Sequence, residues 1–124
     1  MGYECEASGG CSHAEGDLTV ASEDQAHAEG CHTTASGYQA HAEGYYTIAS
    51  GQYSHAEGCY TKATGQDNHA EGLETFAEGQ CSHAEGCYTK ATSAHAEGSE
   101  TEAINTAHAE GFKTYAYNVS HAEG

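Results

Sequence analysis

The tetrapeptide His-Ala-Glu-Gly occurs nine times in 124 residues, beginning at His13, His27, His41, His55, His69, His83, His95, His108 and His121. The first six starts are 14 residues apart, and the last three intervals are 12, 13 and 13 residues. Repetition this regular confines the chain to an array of equivalent coils. A period near 14 is too short for helical-pair or propeller units, which need roughly 30 to 50 residues each. It suits one turn of a narrow parallel β-solenoid. With each repeated His counted as position 1, the full coil reads H-A-E-G-x-x-T-x-A-S-G-x-x-S, nearly unbroken from Ala42 to Ser54. Gly2, Ala7, Ser8 and Ser12 fall at positions 4, 9, 10 and 14. The reading is one domain over residues 1–124, about nine coils, expected to be part of a longer array.

Composition supports a thin rod over a globule. There are 16 glycines and no proline or tryptophan. Leu, Ile, Val and Phe together supply only Leu18, Val20, Ile48, Leu73, Phe76, Ile104, Phe112 and Val119. So few bulky side chains cannot fill a conventional core. A formal charge of −16 with low hydrophobicity would ordinarily indicate disorder, but the repeat argues for order. With only three Lys+Arg, the chain is not expected to bind nucleic acid or an anionic membrane. No apolar run is long enough to cross a bilayer, and no membrane insertion is expected.

Strand periodicity sorts each coil into an inside and an outside. In the first expected strand, S-H-A-E-G, positions 14 and 2 face one way while His and Glu face the other. In the second, T-x-A-S, Thr at position 7 and Ala at position 9 share a face. Position 9 is Ala in every coil, whereas position 8 runs through Glu6, Val20, Thr34, Ile48, Lys62, Phe76, Lys90, Glu102 and Tyr115. The interior is therefore expected to consist of Ala, Ser and Thr, with main-chain hydrogen bonds between coils providing most of the cohesion. Glycines are expected at the corners, where they permit positive φ and close backbone approach. At roughly 4.8 Å per coil the rod would be about 40 Å long.

The outward ladder is the principal candidate site: His13 and Glu15, His27 and Glu29, His41 and Glu43, His55 and Glu57, His69 and Glu71, His83 and Glu85, His95 and Glu97, His108 and Glu110, His121 and Glu123. A solvated face drifts between copies, as position 8 does, yet these two positions never change. A repeated partner is expected to lie against them.

The coil S-H-A-E-G-x-x-T-x-A-S-G-x-x-S resembles the head repeats of trimeric autotransporter adhesins, whose motif S-V-A-I-G-x-x-S-x-A-x-G has the same period. It is also similar to the histidine-containing version in phage tail and tail-spike proteins. The resemblance covers essentially the whole chain. It implies a left-handed parallel β-roll, a homotrimer around a threefold axis, and attachment to a host surface through a receptor or glycan. The family strand that carries Val and Ile faces the neighbouring chains. His and Glu stand there instead, so the implied interface is a polar ladder of His to Glu hydrogen bonds between chains or coils, fixing register. A phage tail is the expected location, with a bacterial cell surface as the alternative.

The competing reading is a multivalent metal-binding array, since imidazole suits Zn, Cu and Ni. H-x-E on a strand is not a zinc signature, so no metal or other cofactor is assigned. Catalysis is not expected either, because a catalytic constellation is normally unique and every His and Glu of the ladder is one of nine. His32, at position 6, reads as a plain surface residue. Cys31, Cys59 and Cys87 share position 5 at two-coil intervals, too far apart for disulfides, which fits folding in a reducing cytoplasm. Tyr45, Tyr46, Tyr60, Tyr88, Phe112, Tyr115 and Tyr117 form a second candidate, a stacked ribbon for sugars or a partner protein. The plainer reading, β-propensity at half-exposed positions, is preferred.

Overall fold

The computed structural model describes residues 3–124. Gly2 and its assignment to position 4 therefore lie outside the described residues. The chain is an all-β parallel solenoid of about eight turns, with two strands per turn and no helix among the described residues. One nine-stranded sheet contains the histidine strands, such as His41–Tyr45, His55–Cys59 and His69–Leu73. The other nine-stranded sheet contains short strands such as Ile48–Ala49 and Lys62–Ala63.

Register is identity upon identity. His55 pairs with His69, Ala56 with Ala70, Glu57 with Glu71 and Gly58 with Gly72. The shortened coils keep this alignment, His83 on His95 and His95 on His108, because the deletions fall in the turn after position 10. There Ser93 donates its N–H to the Ser82 hydroxyl at 2.8 Å, and the preceding strands lengthen to three residues, as in Lys90–Thr92.

The interior matches the expected small-residue filling. Ala at position 9 and at position 2 is fully buried through the middle of the rod, and Thr19, Thr33, Thr47, Thr61, Thr75, Thr89 and Thr101 are buried beside them. Position 14 closes the interior with Ala26, Ala40, Ser54, Asn68, Ser82, Ala94 and Ala107. Asn68 fits because both ends of its amide are used: Nδ2 donates to the Ala77 carbonyl and Oδ1 accepts from the Ser82 N–H. The threonine hydroxyls of those seven coils have no hydrogen-bond partner. Their methyl and Cβ groups supply the packing.

The corners differ from expectation. Position 6 has positive φ in coil after coil, and none of its residues is glycine: Leu18, His32, Tyr46, Tyr60, Glu74, Tyr88, Glu100 and Lys113 all lie between 51° and 58°. Position 13 is similar, with Gln25, Gln39, Tyr53, Asp67 and Cys81 at 52° to 59°. Such a conformation costs roughly 1–2 kcal/mol for an L-residue. Here it aims an N–H at the preceding coil: Tyr60 donates to the Tyr45 carbonyl and Tyr53 to that of Tyr38, each at 2.9 Å. Glycine is required instead for close approach. A Cβ on Gly44 (φ +123°) would lie 2.0 Å from the Gly58 carbonyl oxygen, and one on Gly51 would lie 1.8 Å from that of Gly65.

Candidate functional site

The histidine sheet presents a flat outer face with two columns of invariant side chains. Alternation along the strand buries Ala at position 2 and turns His at position 1 and Glu at position 3 outward, so His55 remains 36% exposed and Glu57 48%. In-register pairing then stacks like on like. The imidazoles form one column from His13 to His121, with successive ring centroids 4.6–4.9 Å apart and nearly parallel planes until the last, tilted pair. Each Nε2 points at the glutamate two residues on in its own strand, 3.3 Å away in His55–Glu57, His69–Glu71 and His83–Glu85, and up to 3.7 Å in His121–Glu123.

Within one chain, His and Glu thus meet along a strand, and not from one coil to the next. The reason is the identity register: the neighbour above each His is another His, and above each Glu another Glu. The contacts are long and solvated, and an exposed pair contributes about 0–1 kcal/mol. The glutamate column meanwhile sets like charges at strand spacing, a repulsion of about 1 kcal/mol per neighbouring pair even in water. Pairing inside the chain does not explain why the two columns are invariant. Packing explains the other constant positions of the coil: burial fixes the alanines at positions 2 and 9, and contact with the next coil fixes the glycine at position 4.

The expected aromatic ribbon divides into pieces. Tyr46 and Tyr60 stack at 5.2 Å with planes 8° apart, and Tyr45 packs edge-on against both. His32, which reads from sequence as a plain surface residue, extends this stack, its ring 4.4 Å from that of Tyr46 and within 5° of parallel. The spacing of 14 residues between His32, Tyr46 and Tyr60, all at position 6, is the signal in the sequence that points to it. Glu74 interrupts the column before Tyr88. Phe112 lies at position 5, Tyr115 at position 8 and Tyr117 at position 10, where its hydroxyl donates to the Glu102 carboxylate at 3.3 Å. Partial burial, then the nearby Tyr60 and Tyr46, raise the pKa of Tyr45; partial burial, then Glu102, raise that of Tyr117.

The six cysteines are unpaired. Cys31 is half-buried, and desolvation followed by the Asp17 carboxylate 3.9 Å away raises its thiol pKa. Among the described residues, no three His, Cys, Asp or Glu side chains of one chain converge as a metal site. No helix among the described residues is long and apolar enough to cross a membrane. By architecture this is a parallel β-solenoid repeat protein. No protein-family model matches the chain, and no match was found among curated proteins.

Proposed function

We propose that the chain is a structural and adhesive module: one strand of a homotrimeric fibre, each protomer a left-handed β-roll, packed around a threefold axis through the His/Glu faces. The observation that carries this reading is the invariance of two exposed columns on a rod whose other exposed columns vary. Their context supports a protein partner with the same repeat. A second copy in register offers a histidine ring as donor opposite each glutamate along the whole rod, giving the carboxylate column partners other than its own kind and shielding the solvated pairs. The resemblance to adhesin and tail-spike repeats supports placement on a phage tail, and a bacterial cell surface is the second location. Host attachment is the role that resemblance supports.

The metal-array reading would require ligands from more than one chain, since a single chain gathers no such cluster among the described residues. Substitution of the ladder separates the two. His55→Ser with His69→Ser and His83→Ser should reduce the trimer to smaller species in light scattering, with the mass of the parent unchanged by chelator. Lys62→Ser on the variable column should leave the trimer intact. A triple variant that stays trimeric would contradict the interface assignment, and a parent that dissociates in chelator would favour metal.

A further inference from the structure

Two columns at one corner of the rod, positions 6 and 8, bound a groove of about 460 Å³ lined by Tyr46, Ile48, Tyr60, Lys62, Glu74 and Phe76. Its walls come from three successive coils, and its size lies within the usual range for small-ligand sites. Tyr46 and Tyr60 are 39% and 45% exposed and form a parallel stack, so their rings offer a continuous aromatic edge. The polar groups are one of each sign. Lys62 is in no ion pair among the described residues and reaches over the Phe76 ring, 5.8 Å from its centroid. Glu74 is likewise in no ion pair among the described residues.

All three basic residues of this −16 chain, Lys62, Lys90 and Lys113, lie in these two columns. A second groove of about 310 Å³ repeats the composition with Tyr88, Lys90, Glu102 and Tyr115. There the cation is already engaged, Lys90 with Glu78 at 3.7 Å. The first groove is therefore the one of the two whose cation and anion are in no ion pair among the described residues, beside aromatic rings.

We infer that the Tyr46–Tyr60–Lys62–Glu74 groove binds a neutral saccharide. Charge selects this occupant. The groove is balanced, one cation against one anion, and the surrounding chain repels anions, which disfavours acidic sugars and acidic peptides. A purely apolar ligand would leave Lys62 and Glu74 desolvated without partners. A sugar ring presents an apolar face to the tyrosines and hydroxyls that accept from Lys62 and donate to Glu74. The inference deepens the attachment role proposed above and names its ligand class, but the groove lies within one chain and does not depend on the trimer.

The chain has no tryptophan, so its emission comes from nine tyrosines, and Tyr46 and Tyr60 of the groove contribute the part that a bound ligand would quench. The full chain is titrated to about 10 mM, beyond the weak-binding range near 1 mM, with maltohexaose, cellohexaose and chitohexaose, and with a hexagalacturonate as acidic comparison. Mass is measured on the same samples. Saturable quenching by a neutral hexamer is expected, weakened about tenfold or more by Tyr60→Asn and by Lys62→Ala. Asn is chosen because it tolerates positive φ. Tyr53→Asn, the matched change at another positive-φ corner, should leave binding intact. No quenching by any neutral hexamer, equal binding of hexagalacturonate, or insensitivity to Tyr60→Asn would overturn the inference. Saturable binding by a monomer would uphold the groove while refuting the trimer.

Discussion

At the scale of single residues, the coil is dictated by what its interior and its neighbours can tolerate. Gly44 has one acceptable side chain, hydrogen, because a Cβ would sit 2.0 Å from the next coil's carbonyl at a φ of +123°. Gly44→Ala should therefore lower stability by about 3 kcal/mol or more, seen as a large drop in the thermal midpoint. The seven buried threonines argue the opposite way. A buried hydroxyl without a partner costs roughly 1–3 kcal/mol, so Thr61→Val, which keeps the branched shape and removes the unpaired oxygen, should be neutral or stabilising in denaturant melts. A clear loss of stability would mean that the hydroxyl has a partner. The inward set is legible in the sequence, since small size at positions 2, 7 and 9 and constancy at positions 2 and 9 suffice to find it. The corners are not. Positive φ at Tyr60 or Gln39 is invisible in residue type, because an intercoil N–H bond offsets the strain that would otherwise call for glycine.

At the scale of elements, two-residue and five-residue strands are too short to be stable alone and persist because each is hydrogen-bonded to the equivalent strand of the next coil, on both sides except at the ends of the rod. Identity register is what makes the faces uniform, and it also reorganises the candidate site. Sequence alternation is enough to place His and Glu outward. Their pairing along one strand, the histidine stack, and the recruitment of His32 into the tyrosine stack follow from register, which no single coil contains. Inner and outer columns should respond differently to the same change. Ala70→Leu adds bulk to a position with no free space and should cost about 1–3 kcal/mol or prevent folding. Lys62→Leu, on the exposed column of the adjacent turn, should change stability by no more than about 0.5 kcal/mol in the same denaturant melts. Equal effects at the two sites would contradict the assignment of inside and outside.

At the scale of the whole molecule, the rod has an interior of small side chains, alanine and threonine with a few serines and Asn68, turned inward from two sheets. It carries a formal charge of −16, and one of its broad faces bears a glutamate column that repels itself. These features fit a protomer that completes its structure against other copies. The repeat makes the solenoid legible from sequence because equal spacing permits few architectures. Assembly is less legible, since the proposed interface lies on an exposed face and no contact within the chain specifies what covers it. The most direct test is the mass of the purified chain in solution, by light scattering at pH 7.5 in the presence of a chelator. Three times the 12.9 kDa of one chain is the expected result. A single 12.9 kDa species would leave the His/Glu face without its partner and contradict the central claim.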